Sequence, residues 1–272
     1  MLTLTRNIIK DIRSLEQRKA RREQHAWLAE GNKMVGDLLT SRAFPCLRLL
    51  ATQEWWDAHP HFAPLAQECY ALSRAEMERV SLLPSPQDVL AVFSLPDDVS
   101  APSSPLLHPL PSSPRGEGSG GGGLLLDAIQ DPGNLGTIIR TADWFGVRQI
   151  YCTPGTADCY SPKVVQASMS ALARVRLHYF DTREACCQWL QSLDCPIYGT
   201  FLDGDNIYRT SLTTPSLLVM GNEGRGVSPE VAQCVTHRLL IPDFSPDGLH
   251  VESLNVSIAT AICLSQLCQS TL

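Results

Sequence analysis

Apolar and basic positions alternate at a helical period near the start of the chain. Ile8, Ile9, Ile12 and Leu15 recur every three to four residues with Arg and Lys between them, which predicts an amphipathic helix over 6–30. A second short helix is expected over 33–42. Leu47 to Ala51 and Val89 to Phe93 read as strands, with a helix near Arg74 to Val80, so a small α/β domain is expected up to residue 96. The pattern then stops. Residues 97–123 are dense in Pro, Ser and Gly and lack the apolar surface to offset their ordering entropy, which predicts a flexible linker. A proline-rich ligand is the other reading of that stretch. From Leu124 the order becomes regular. Strands are expected at 124–129, 148–153, 176–180, 196–202, 216–221 and 238–242. Helices are expected between them at 135–145, 162–173, 182–192 and 228–235, with a last one from about 254 to 269. Such alternation predicts a parallel sheet covered on both faces, whose ligands sit at the carboxyl ends of its strands.

Composition changes this picture only in places. The 272 residues allow two modest domains, and 44% hydrophobic content is enough for a core in each. The net charge of −6 argues against nucleic-acid binding by bulk electrostatics. Residues 1–33, however, hold eight Lys/Arg against four Asp/Glu, a local +4 that can meet a phosphate backbone. The ten cysteines show no C-x-x-C spacing, so no metal site is expected and the thiols read as reduced and buried. The charged N-terminus lacks the apolar core of a secretory signal, and no apolar run is long enough to span a bilayer. A cytoplasmic protein without membrane association is the expectation.

Three loops carry candidate chemistry. DPGNLGTIIRTADWFG (131–146) follows the first strand of the second domain. There Asn134 stands where a helix can be capped, and Arg140 lies six residues further on. GNEGRGVSPEV (221–231) follows a later strand. Gly221, Gly224 and Gly226 permit close backbone approach, Glu223 is a carboxylate at a pocket rim, and Ser228 with Pro229 starts a helix. The loop is neither a P-loop nor a G-x-G-x-x-G dinucleotide loop. In the third, IPDFSPDGLHVESLNVSIATAI (241–262), Ser253 is placed to cap the last helix and the Val256, Ala259, Thr260, Cys263 face is small enough for tight packing. Taken singly, each is an ordinary turn before a helix, and Arg140 an ordinary surface arginine.

Together and in this order they resemble the three motifs of the SpoU/TrmH branch of the SPOUT methyltransferases: N-L-G-x-x-x-R at 134–140 (ending on Arg140), G-N-E-G-x-G at 221–226 and S-L-N-V-S at 253–257. SPKVVQASMSALARV (161–175) is similar to the family's stretch between its first two motifs. The N-terminal IKDIRSLEQRKARREQHAWLAEGNKMV and PQDVLAVF resemble the family's substrate-binding module, itself similar to ribosomal protein L30e. The division implied is an RNA-binding domain over 1–96, the linker over 97–123 and a catalytic domain over 124–272. The linker is the one departure from the family pattern.

The resemblance implies a parallel-sheet domain threaded as a trefoil knot, homodimeric through that domain, that binds S-adenosylmethionine and methylates a ribose 2′-hydroxyl of rRNA or tRNA, rRNA being slightly favoured. It implies Arg140, Asn134, Glu223, Ser253 and Asn255 as catalytic residues, and Thr200, Gly221, Asn222, Gly224, Ile241 and Leu254 as the cofactor's cradle. Arginine holds its proton in proteins. Arg140 is therefore expected either to hold the 2′-hydroxyl and a phosphate, or to act as base after losing its own proton to that phosphate. The alternatives are a catalytically silent RNA-binding scaffold on the same fold, and a small-molecule methyltransferase of Rossmann type. The complete motif set argues against the first. The missing G-x-G-x-x-G and the basic N-terminal segment argue against the second.

Overall fold

The helical pattern at the start of the chain ends earlier than its period suggests. The computed structural model describes residues 1–96, 122–245 and 252–269. Within them α1 (Arg6–Ser14) is capped by Thr5, and α2 (Arg18–Gln24) ends on His25 in the left-handed conformation. Residues 26–30, expected as helix, form instead β1 (Ala26–Glu30), buried at all five positions. A helix with one apolar face cannot bury five consecutive side chains, whereas the edge of a covered sheet can. There follow α3 (Asn32–Ser41), β2 (Cys46–Thr52), α4 (Gln53–Ala58), β3 (Ala66–Leu72), α5 (Arg74–Val80) and β4 (Val89–Ser94). The sheet order is β1-β4-β2-β3, with β4 antiparallel to both neighbours and β2 parallel to β3. Strand β3 was absent from the sequence reading, because Gln67 and Glu68 break its apolar run. α1 buries Ile12 and Leu15 against Leu28, Leu50, Met77 and Leu90.

The chain divides into two compact units, Met1–Asp98 with Asp158–Arg174, and Val99–Ala157 with Val175–Leu272. The linker expectation lies, for 97–121, outside the described residues. Gly122 and Gly123, assigned to it from the sequence, open β5 (Gly122–Leu126) and pair with Ser216 and Leu217. Then come α6 (Pro132–Trp144) and β6 (Gln149–Cys152).

Residues 158–174, with α7 (Pro162–Ser168), are part of the first unit. Arg21, 3% exposed, donates to Asp158 Oδ2 at 2.7 Å and to the Leu15 and Glu16 carbonyls at 2.7 and 2.8 Å. The Tyr160 ring packs on Trp27 with centroids 5.3 Å apart, and Ser170 Oγ donates to Asp37 at 2.7 Å. The first unit is thus completed by a segment that follows it by some sixty residues in sequence.

The second unit continues with β7 (Arg176–Tyr179), α8 (Arg183–Gln191), β8 (Ile197–Asn206), β9 (Ser216–Met220), α9 (Pro229–Ala232), β10 (His237–Leu240) and α10 (Val256–Gln269). Its six strands run parallel in the order β10-β8-β9-β5-β6-β7. Strand β8 is longer than expected because it leaves the ladder midway. Arg238 pairs with Gly199 and Leu239 with Asp205, so residues 200–204 form an excursion on one strand only. Among the described residues, no helix is long and apolar enough to cross a membrane, and no His, Cys, Asp and Glu cluster could hold a metal.

Candidate active site

Strand order places the site. From β5 the chain moves through α6 to β6 on one side, while β9 lies on the other, so β5 and β9 flank a topological switch point. At such a point the loops beyond the strand ends diverge and leave a crevice. The first two motif loops follow β5 and β9.

The first loop differs from the sequence reading in its cap. Asp131, not Asn134, is the N-cap of α6: its Oδ1 accepts the Asn134 amide N–H at 2.8 Å, and Pro132 takes the first helical position. The Asp-Pro pair is the signal that could have found it, since proline is pre-organised for the first turn and aspartate for the cap. With the cap made by Asp131, the Asn134 side chain is released for other work. Its Nδ2 donates to Glu223 Oε1 at 3.0 Å, and its Oδ1 accepts from Asn255 Nδ2 at 2.9 Å. Asn255 in turn is the cap of α10, where Oδ1 accepts from the Ser257 amide at 2.9 Å and the Ser257 hydroxyl at 2.6 Å. The expected cap, Ser253, is exposed and stands outside this arrangement. Because Asn255 Oδ1 serves backbone donors, its Nδ2 must face Asn134, and Asn134 must then turn its own Nδ2 to the carboxylate. The donor–acceptor order Asn255 to Asn134 to Glu223 is therefore self-consistent.

The second loop is held by its own asparagine. Asn222 Oδ1 accepts the amides of Gly224 and Arg225 at 3.0 and 3.1 Å, and Nδ2 donates to the Ala128 carbonyl at 2.7 Å. Asn222 and Gly226 also exchange both backbone hydrogen bonds, each 2.9 Å. This closure needs glycine at two positions. A Cβ on Gly221 would lie 2.3 Å from the Gly226 carbonyl carbon and the Val227 nitrogen, and Gly226 has φ +68°.

A cavity of about 440 Å³ opens between this loop, the 200–202 excursion of β8, the end of β10 and the start of α10. Thr200, Gly221, Asn222, Gly224, Ile241 and Leu254 all line it, as does Glu223. Met220 and Leu239, which the sequence did not single out, and Val256 and Ala259, expected there only as a packing face, give it an apolar floor. The volume falls within the roughly 300–1,000 Å³ of small-molecule sites. An apolar floor beside the polar Glu223 and Thr200 side chains at the rim fits a flat heteroaromatic ring joined to a polar amino-acid chain, the two halves of S-adenosylmethionine.

Arg140 is placed differently. It lies six residues after Asn134 on α6, on another face of the helix, and does not line the cavity. It is exposed, and among the described residues its guanidinium has no hydrogen-bond or ion-pair partner. Trp144, one turn further along the same face, is 85% exposed. The structure thus brings Asn134, Glu223 and Asn255 together and leaves Arg140 and Ser253 apart from them.

Comparison with known proteins bears on both units. Residues 123–265 match the SpoU rRNA Methylase family, and residues 6–91 match the MRM3-like substrate binding domain. A Bacillus subtilis protein named 23S rRNA (guanosine(2553)-2'-O)-methyltransferase RlmP is 28% identical over 95% of each chain. A TrmH-family protein of known structure from Porphyromonas gingivalis is 41% identical, covers 98% of both chains and superposes with a TM-score of 0.80. An rRNA methyltransferase from Sinorhizobium meliloti, solved with S-adenosylmethionine bound, is 29% identical with a TM-score of 0.79, covering 100% of this chain and 98% of its own. With more than half of its length matched by that family and its full length followed by these relatives, the chain belongs to the SpoU rRNA methylase family.

Proposed function

We propose that this chain transfers a methyl group from S-adenosylmethionine to a ribose 2′-hydroxyl of RNA, with ribosomal RNA as the substrate. The observation that carries the reading is the cavity bordered by the glycine loop and α10, lined by Glu223, whose carboxylate accepts from Asn134 and is linked through it to Asn255. The names of the relatives favour ribosomal over transfer RNA. A silent scaffold has nothing in its favour, since relatives along the whole length are named as methyltransferases and every motif residue is present.

When bound, S-adenosylmethionine supplies a methyl carbon on a sulfonium. The chain's own groups must align a 2′-oxygen with that carbon and hold the oxygen as its proton leaves. Thr200, Gly221, Asn222, Gly224, Ile241 and Leu254 form the cradle. Asn134, held by Asn255, fixes the Glu223 carboxylate at the rim, and Ser253, exposed and outside that chain of hydrogen bonds, keeps a role only toward a bound substrate. Arg140 binds a backbone phosphate with the 2′-oxygen, favouring the developing alkoxide by its charge. With no carboxylate partner among the described residues, it is available for that phosphate.

The same reading includes a homodimer through the second unit. Trp144, one turn from Arg140 on α6, is 85% exposed and Ile258 on α10 is 52% exposed, and a second copy of the chain is proposed to cover Trp144 together with Arg140. Exposed Arg6, Lys10 and Arg22 on α1 and α2 are the groups proposed to meet RNA phosphates. A trefoil knot in the second unit and a cytoplasmic location belong to the same proposal. The test is to incubate the purified protein with labelled S-adenosylmethionine and unmodified rRNA or tRNA transcripts, then map 2′-O-methyl positions. A single methylated ribose in rRNA is expected. Label on a base, or only on tRNA, would overturn the assignment.

A further inference from the structure

One buried carboxylate in the second unit is absent from every motif and does not touch the cavity. Asp127 follows β5, is 1% exposed, and lies just before the loop that carries Asn134. Its Oδ1 accepts the Thr153 hydroxyl at 2.7 Å, at the end of β6, and its Oδ2 accepts the Ser228 amide at 2.7 Å, at the far end of the glycine loop. Arg183 Nε, 3.9 Å away, is the nearest cation. The neighbouring residue extends the connection. Ala128 is held at φ +56°, an unfavourable conformation for alanine, with its amide on Thr153 Oγ1 at 3.0 Å and its carbonyl on Asn222 Nδ2 at 2.7 Å. Asp127 and Ala128 therefore grip the glycine loop at both ends, Ser228 and Asn222, and tie it to the strand ends that carry the first motif.

A buried carboxylate is costly unless its hydrogen bonds are met, and a backbone strained at a non-glycine residue persists only where its surroundings enforce it. A core built for stability alone would need neither. We propose that Asp127 is a positioning residue for methyl transfer: it sets the glycine loop, and through it Glu223, against Asn134 and the cofactor cradle. This rests on the function proposed above.

The variants are Asp127→Ala, Asp127→Asn and Thr153→Val in the full chain. Asparagine can keep both contacts, its oxygen accepting from Ser228 and its amide donating to Thr153, whereas alanine keeps neither. Affinity for S-adenosylmethionine is read by calorimetry well below the unfolding temperature. Transfer to an unmodified 23S rRNA transcript is read at saturating cofactor, and retention of that transcript on filters is read in parallel. Asp127→Ala is expected to weaken cofactor binding by about tenfold and to slow transfer by about 10²-fold, with transcript retention unchanged. Asp127→Asn is expected to recover most of both losses. Thr153→Val, similar in shape, removes both the donor to Asp127 and the acceptor of the Ala128 amide; it is expected to fall between them and serves if the alanine variant does not fold. A folded alanine or valine variant with parental cofactor affinity and parental turnover overturns the positioning role, leaving Asp127 only a part in stability. A parent chain that neither binds the cofactor nor methylates the transcript would instead refute the function itself.

Discussion

Side chains that the sequence groups by motif divide, in space, by task. Asn134 and Asn255 both stand at helix starts, yet only Asn255 caps, because Asp131 has already taken that role on α6. The spare amide of Asn134 is what joins the first and third motifs to Glu223. Among the described residues Arg140 has no such partner, and the task proposed for it is toward RNA. The Arg140→Ala variant is therefore expected to lower kcat by about 10²–10³-fold, the usual loss for one group stabilising a developing charge. Cofactor affinity should be little changed, since Arg140 lies outside the cavity. Single-turnover methylation and calorimetry separate the two effects. A variant with normal turnover would remove Arg140 from the mechanism.

Elements were legible where burial followed a period and illegible where it did not. The alternation of the second unit gave every strand of its sheet to within a few residues, with β8 the exception, since its pairing with β10 resumes at Asp205 after a polar break at Asp203 and Gly204 that reads in the sequence as the strand's end. In the first unit β1 was hidden in a helical pattern and β3 behind two polar residues. The glycine loop is the clearest case of sequence dictating local structure. Its Gly221 has backbone where a Cβ would sit, so Gly221→Ala must push residues 226 and 227 away from the cavity wall. Overpacking of this kind costs about 1–3 kcal/mol. Binding of S-adenosylmethionine to Gly221→Ala is expected to weaken by about tenfold, with a lower unfolding temperature, as calorimetry and thermal melts can report. Unchanged affinity would mean that the loop does not shape the cofactor site.

At the scale of the molecule, charge burial and an uncovered face make separate predictions. Burial pushes the Glu30 carboxyl above its ordinary value of 4.5, against the opposing effects of the Ser81 hydroxyl, the Leu82 amide and Arg13. A carboxyl raised in the folded state lends stability that is full below its unfolded pKa and is lost as pH rises through the folded value. Glu30→Gln, which does not titrate, is therefore expected to gain stability relative to the parent as pH rises from 4 towards 7. Urea midpoints for the two chains at both ends of that range check the sign, and a gap that shrinks with rising pH contradicts it. The α6 face carrying Trp144 bears on assembly. Trp144→Glu is expected to convert a dimer to a monomer in sedimentation, with loss of methyl transfer, whereas a parent chain that is already monomeric would refute the dimer.

The sequence by itself determined the class of the fold, the positions of three loops at strand ends, and a family resemblance that the comparisons bear out. These are local or periodic properties: an apolar repeat reports which side of an element is buried, and a glycine reports where backbone must pass closely. Only the tertiary structure decided which polar groups meet. Asn134 lies 89 residues from Glu223 and 121 from Asn255, and Arg21 lies 137 from Asp158. Contacts at such separations leave no period in the chain. The same holds for Asp127, which as a lone carboxylate after a run of leucines carries no signal until Thr153 and Ser228 are folded against it.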